Sequence, residues 1–241
     1  MKIAGLLPTS LQDYPGQIAA VVFTSGCNFS CPYCHNPELV SGGDGNFYDE
    51  EYVISMLADR KNYLDGVVIT GGEPTLQDEL VEFLSRLKEE NHLIKLDTNG
   101  SRPQVLAKLL QEELIDYVAW DYKLPAGRYD ELTEVENIKS RLEKTAGLLA
   151  ESSIEVEIRT TVVPELMSGE DIAKITRELA RFNNREEEFP DSYFLQEFRG
   201  KKVLNPQYSE YTPFTREKMQ EFLEKARINL NREAVELREN Y

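Results

Sequence analysis

Cys27-Asn28-Phe29-Ser30-Cys31-Pro32-Tyr33-Cys34 contains all three cysteines of the 241-residue chain. Three thiolates spaced C-x3-C-x2-C on one short loop can each take a corner of a metal centre, one ligand short of the four that usually hold a [4Fe-4S] cube. An iron left without a protein ligand is a place for a small molecule to bind and react, the same logic that separates catalytic from structural zinc sites. Two simpler readings compete. A structural zinc site normally has four ligands, and the loop offers only His35 as the fourth, beside Cys34, where adjacent residues rarely aim at one metal. His92 is the only other histidine. A disulfide would leave an odd cysteine, and without a secretory signal grouped thiols are more often metal-binding or catalytic.

The loop must be carried by something rigid. Gln17 opens a change of character, and Ile18 to Thr24 is a continuous apolar run bounded by turn residues, as in a strand buried on both faces of a parallel sheet. The cysteines follow it at once. The same alternation repeats: strands are expected at Gly66–Thr70, Leu93–Asp97, Tyr117–Tyr122, Ile154–Val163 and Tyr193–Phe198. Helices are expected at Asp49–Tyr63, Gln77–Asn91, Pro103–Glu113, Val135–Glu151, Gly169–Phe182 and Thr215–Asn231. Six such units imply right-handed crossovers and an α/β fold, an incomplete (β/α)6 TIM-like barrel of parallel strands, with an open doubly wound sheet as the alternative. The chain divides into an irregular N-terminal lead-in (1–16), the partial barrel (17–198), and a C-terminal loop and helix (199–241) packing on the same domain.

In barrels of this kind chemistry gathers at the carboxyl ends of strands, and polar groups collect there. Gly71-Gly72-Glu73-Pro74 ends the second strand, where glycines let backbone approach a ligand and proline fixes the turn, though an ordinary strand-to-helix turn has the same composition. Asp97 closes the third strand and could instead begin a turn or cap a helix. Alternation along the fourth strand sets Tyr117, Ala119, Asp121 and Lys123 on one face and Val118, Trp120 and Tyr122 on the other. Asp121 and Lys123 then point into the barrel mouth, or form a solvated pair at a strand end. Arg159 suits a carboxylate or ribose oxygens, or a surface ion pair. Gln196 and Glu197 are weaker candidates, and Met56, Met167 and Met219 read as core or surface residues.

The cysteine spacing with an aromatic before the last cysteine, together with Gly71-Gly72-Glu73-Pro74, resembles the radical S-adenosylmethionine (SAM) enzymes. The resemblance implies a [4Fe-4S] cluster on Cys27, Cys31 and Cys34 whose open iron is chelated by the amino and carboxylate groups of SAM. It further implies reductive cleavage of the sulfonium to a 5'-deoxyadenosyl radical that abstracts hydrogen. Asp97-Thr98-Asn99-Gly100, Asp121-Tyr122-Lys123 and Arg159 with Val162-Val163-Pro164 are similar to elements of the glycyl-radical-enzyme activases. By that likeness Gly71, Gly72, Glu73, Pro74, Asn99, Lys123 and Arg159 would contact SAM and Tyr33 would lie near the adenine. Asp97, Thr98 and Asp121 could hold a monovalent cation. Gln196 stands where a histidine is expected. Ser10-Leu11-Gln12-Asp13-Tyr14-Pro15-Gly16 and Cys34-His35-Asn36-Pro37-Glu38-Leu39 are similar to the activating proteins of anaerobic ribonucleoside-triphosphate reductases. The partners implied are a glycyl radical enzyme, most like that reductase, and a flavodoxin- or ferredoxin-type electron donor.

Composition limits the alternatives. A formal charge of -16, from 27 Lys and Arg against 43 Asp and Glu, opposes polyanions, so nucleic acid is not an expected partner. No apolar run is long enough to span a bilayer, and the expected location is the cytoplasm. The expectation is a radical SAM oxidoreductase acting as an activase. The rivals are a radical SAM enzyme with a small-molecule substrate, such as a deazapurine synthase, and a non-enzymatic protein whose cysteines hold metal for structure or sensing. Within the tail, Pro206, Tyr208, Tyr211, Pro213 and Phe214 suggest an ordered loop.

Overall fold

The computed structural model describes residues 1–42, 45–182, 189–230 and 235–238. Its strands are β1 (Ile3–Ser10), β2 (Ala19–Thr24), β3 (Gly66–Gly71), β4 (Leu93–Thr98), β5 (Tyr117–Asp121), β6 (Glu155–Val162), β7 (Ser192–Glu197) and β8 (Val235–Arg238). They form one sheet in chain order. Among them lie α1 (Pro37–Val40), α2 (Glu50–Asp59), α3 (Leu80–Glu89), α4 (Pro103–Gln111), α5 (Ile138–Glu151), α6 (Gly169–Ala180) and α7 (Arg216–Leu230). The β2, β3 and β4 strands run parallel, as do β6, β7 and β8, while β1 pairs antiparallel with β2. This is the mostly parallel α/β sheet expected of the partial-barrel class, with the six expected strands at β2 to β7.

Two expectations need correction. The lead-in is not irregular but carries β1, with Pro8 inside it. Proline lacks an N–H and is confined to edge strands and bulges, and here it falls in the register shift between Leu7 and Ser10 of an antiparallel edge strand. The tail is more than a loop and helix, because β8 adds to β7 with Tyr193 opposite Val235 and Gln196 opposite Arg238. Four residues were too few to show strand periodicity in the sequence. The expected end of the last helix, Asn231, lies outside the described residues.

The chain divides into two compact units. The first comprises Met1–Asn28, Glu38–Thr98 and Gln104–Ala119. Its β2 is buried along nearly its whole length, because helices cover one face and the sheet's own interior the other. The α3 helix turns Leu80, Phe83, Leu84 and Leu87 inward, spaced three and four residues apart as one helical face requires. On the interior face Ala19, Val21, Val68, Tyr117 and Ala119 form a cluster with Tyr14. Tyr14 meets the Tyr117 ring edge-on, centroids 5.6 Å apart. The second unit comprises Phe29–Pro37, Asn99–Pro103 and Trp120–Tyr241. It is built on aromatic packing: Trp120, Tyr122, Tyr129 and Phe29 contact one another in sequence through T-shaped pairs.

Tyr14 thus belongs to the core although it lies in a turn-rich segment. Tyr14→Ala is expected to lower stability by about 3–5 kcal/mol, the usual cost of truncating a buried aromatic. Tyr63→Ala, at a ring 75% exposed, is expected to change it by less than about 0.5 kcal/mol. Urea denaturation midpoints of the two variants check the contrast.

Candidate functional site

In the first unit the end of β3 is drawn against the end of β2. Gly72 donates its N–H to the Thr24 carbonyl at 2.9 Å, and Glu73 donates to the Gly26 carbonyl at 2.8 Å. A side chain on Gly71 would collide with the Thr24 backbone and one on Gly72 with the Gly26 carbonyl, and Gly71 has φ +112°. Both positions therefore require glycine, for approach and, at Gly71, for conformation. Glu73 is wholly buried. Its Oε1 accepts from Thr75 N at 3.1 Å, Thr75 Oγ1 at 2.5 Å and Thr98 Oγ1 at 2.7 Å. The carboxylate thereby fixes the turn begun by Pro74 and ties it to the end of β4. Cys27 lies just past β2, its N–H donating to Val40 at 3.1 Å while Gly26 donates to Leu39 at 2.7 Å. The short α1, not foreseen from the sequence, closes this loop.

Asp97, the last residue but one of β4, stands two residues after Lys95 on the same face and accepts from its ammonium at 2.5 Å. Lys95 is 2% exposed and lies over the Tyr117 ring, 5.8 Å from its centroid. Sequence reasoning passed over this buried lysine, although an i, i+2 Lys-x-Asp pair in an apolar strand was the available signal.

In the second unit the rest of the cysteine loop is pinned from two sides. Ser30 donates to Leu132 at 2.8 Å, Asn205 donates to the Pro32 carbonyl at 2.8 Å, and a turn joins Cys34 N–H to the Cys31 carbonyl at 3.0 Å. None of the three cysteines is in a disulfide. Burial pushes the Cys31 thiol up to about 11, against the opposing pull of Lys123. Tyr33 is buried, and its hydroxyl has no partner among the described residues. A buried hydroxyl in that state is one that a bound group can satisfy.

Asp121, Lys123 and Arg159 meet. The Asp121 carboxylate accepts from Arg159 Nε at 2.8 Å and from Lys123 Nζ at 3.2 Å. Burial alone would raise the Asp121 pKa, but the charges of Arg159 and Lys123 outweigh it and hold the group down at about 2. For Lys123, burial opposes the charge while Asp121 and then Cys31 favour it, and the balance lies above the usual lysine value. Tyr129 accepts the Lys123 N–H at 2.8 Å, fixing the backbone from which the ammonium departs. Asn99 is buried, with its Oδ1 accepting from Ser101 N at 2.9 Å and its carbonyl accepting from Trp120 Nε1 at 3.3 Å. Gln196 lies 3.5 Å from Thr161 Oγ1.

Two further residues extend the ionic row. Alternation along β6 puts Glu157 on the same face as Arg159, and Glu157 is 1% exposed with Oε1 3.9 Å from Arg159 Nε. Arg238 of β8 reaches across β7 over the Phe194 ring, 3.7 Å from its centroid, and grips Glu157 with two bonds of 2.7 and 2.9 Å. Such a forked pair is among the stronger hydrogen-bonded contacts. Arg238 lay in the tail, where nothing in the sequence marked it.

Among the described residues no three His, Cys, Asp or Glu side chains are gathered around a point that could hold a metal ion. A cubane spreads its cysteine ligands over different irons, so the donor chemistry of three thiols in eight residues, and the buried Tyr33 hydroxyl among them, fits a cluster better than a single ion.

Lys123→Ala is expected to weaken SAM binding by about tenfold or more, equivalent to ~1.4 kcal/mol, with the cluster's absorption unchanged; calorimetric titration decides it, and an unaltered affinity removes Lys123 from the site. Arg238→Met is expected to weaken SAM binding by a similar factor of about ten through Arg159, with partial recovery in Arg238→Lys, because a fork and a point charge are not equivalent. Equal affinities in all three proteins would show that Arg238 holds only the strand.

Residues 21–179 match the model of the radical SAM superfamily. A relative from Methanocaldococcus jannaschii, named as a glycyl-radical enzyme activating enzyme, is 35% identical over 86% of this chain and 83% of its own length. The pyruvate formate-lyase-activating enzyme of Clostridium pasteurianum is 31% identical over 77% of this chain and 79% of its own. A 7-carboxy-7-deazaguanine synthase of Methanospirillum hungatei is 39% identical over 43% of this chain and 44% of its own. Among solved structures, Streptococcus suis SuiB bound to S-adenosylmethionine superposes with a TM-score of 0.66 at 19% identity, covering 92% of this chain and 50% of that one, a likeness of fold. A family whose enzymes work with a [4Fe-4S] cluster and SAM accounts for the grouped cysteines and the strand-end charges together, and the chain belongs to the radical SAM superfamily, within its glycyl-radical-enzyme activating group.

Proposed function

We propose that this activase installs a glycyl radical on an anaerobic ribonucleoside-triphosphate reductase, using SAM held by the polar row at the strand ends. The observation that carries the SAM reading is the set Asp121, Lys123 and Arg159, charged and mutually bonded on the sheet's inward row, with Lys123 in the electrostatic field of Cys31. The choice of partner is supported by the runs Ser10 to Gly16 and Cys34 to Leu39, which are similar to that reductase's activating proteins.

In this reading Cys27, Cys31 and Cys34 hold the cluster, which when reduced and bound to SAM supplies the electron for cleaving the sulfonium and so the means of abstracting hydrogen from glycine. Gly71 to Pro74 present a fixed backbone to the methionine amino group. Lys123 and Arg159 offer cationic donors to carboxylate and ribose oxygens, while Asp121 keeps both in place. Asn99 contributes its amide and Tyr33 its ring. Asp97, Thr98 and Asp121 offer oxygens to a monovalent cation. Arg238 and Glu157 position Arg159. Burial of the aromatic bed formed by Phe29, Tyr122 and Tyr129 keeps water from beneath the loop. Hydrogen-atom abstraction needs no general acid or base, which agrees with a chain that has only two histidines.

Among the described residues no helix is long and apolar enough to cross a membrane. The test is anaerobic: the reconstituted, reduced protein is mixed with SAM and the reductase, and the electron paramagnetic resonance spectrum is followed with 5'-deoxyadenosine release. A glycyl radical on the reductase, absent with Cys34→Ala, is the expected result. Deoxyadenosine formed with a deazapurine precursor but no radical on the reductase would favour the small-molecule reading, which the partial match to a deazaguanine synthase keeps in view.

A further inference from the structure

The proposed reaction consumes an electron that the chain cannot relay from a second cluster, because one cluster would engage all three of its cysteines. The donor has to come to the surface beside the cysteine loop. What lies there, in the second unit, is the segment Arg199 to Glu210. Its Asn205 N–H bonds the Pro32 carbonyl at 2.8 Å, between Cys31 and Cys34 in sequence. Just before it, the Phe198 ring packs against His35, centroids 6.2 Å apart, and the Lys202 backbone hydrogen-bonds His35. The segment is therefore fastened to the cysteine loop at both Pro32 and His35.

Between these fastenings stand Arg199, Lys201 and Lys202, three cations in four positions, with Glu210 the first acid after them. Lys201 and Lys202 are exposed and Arg199 is partly so. Lys202 is three residues from Asn205, within about 10 Å of chain. Nearby Glu131 is engaged by Arg128 through bonds of 2.7 and 2.8 Å and so subtracts little from the patch. On a chain of net charge -16 a local excess of positive charge is not what general solubility produces. A protein of this net charge repels acidic partners on average, so a cationic spot favours both such a partner and the place where it lands.

We propose that the turn bearing Arg199, Lys201 and Lys202 is the docking surface for an acidic one-electron carrier protein, which delivers its electron to the cluster held by the adjoining cysteine loop. This rests on the radical SAM reading of the site. The carrier is oxidised by one electron and the cluster reduced by one; no bond is made or broken and no proton is required in the transfer itself.

The test uses the cluster-loaded protein and the double variant Lys201→Glu/Lys202→Glu, with Lys201→Arg/Lys202→Arg as the charge-conserving control. Reduced flavodoxin and, separately, reduced ferredoxin serve as donors and dithionite as the small-molecule comparison. Two readouts are followed, bleaching of the cluster and calorimetric binding of the oxidised carrier. The expected result is that reversal slows reduction by the better carrier about tenfold or more at low salt, within the range of electrostatic steering, and weakens carrier binding. The arginine control is unchanged, and dithionite reduces all three proteins equally. Wild-type reduction by the carrier should also fall steeply with added salt, and that of the reversed variant should not. Equal carrier-driven rates and binding for wild type and reversed variant overturn the proposal. So does a reversed variant that accepts electrons normally but fails to install the glycyl radical, which would give the surface to the hydrogen donor. A failure of dithionite-reduced wild type to cleave SAM would count against the radical SAM reading, whereas bleaching and carrier binding would still decide the docking surface.

Discussion

A carboxylate set among cations governs the second unit. Asp121 closes β5 where the strand leaves the core, and it stays ionised because Arg159 and Lys123 stand 2.8 and 3.2 Å away. Removing either partner from such a group leaves uncompensated charge, a far larger cost than the net worth of the pair. Much of the unit can be read as support for that triad. The Tyr129 hydroxyl fixes the Lys123 backbone, Glu157 lies beside Arg159, and Arg238 holds Glu157 in turn. Three strands thus meet at one electrostatic junction. A ligand bearing both charges, as an amino acid moiety does, can enter such a junction by exchanging contacts with groups already oriented, so little ordering entropy is left for binding to supply.

The first unit works by proximity. The ends of β2 and β3 approach so closely that Gly71 and Gly72 leave no room for side chains. Glu73 turns inward to gather Thr75 and Thr98. The loop that follows β3 is consequently a set of backbone groups with little freedom, suited to a ligand that must be met at the same place each time.

The parts legible in the sequence were those with a strong local signature. The apolar runs became β2, β3 and β5, and the period of Leu80, Phe83, Leu84 and Leu87 became α3. The cysteine spacing and Gly71-Gly72-Glu73-Pro74 announced the family, which the match over residues 21–179 bears out. What escaped depended on partners distant in sequence. Residues 1–16 read as an irregular lead-in until pairing with β2 made an edge strand of Ile3–Ser10, and Val235 to Arg238 is too short to declare itself without β7 beside it. Arg238 looks like one more charge in a charged tail, and only the strand pairing brings it to Glu157, 81 positions earlier. Lys95 was hidden differently, as a cation in an apolar strand whose partner stood two residues on.

The buried thiol of Cys31 carries a consequence for how the protein takes up its cofactor. Thiolates, not thiols, are alkylated and oxidised, and burial holds Cys31 toward its protonated form. Metal loading at this position has to expel a proton to make the ligand. Loading is therefore favoured as the medium becomes more alkaline, because the proton that Cys31 gives up is then more readily taken by solvent.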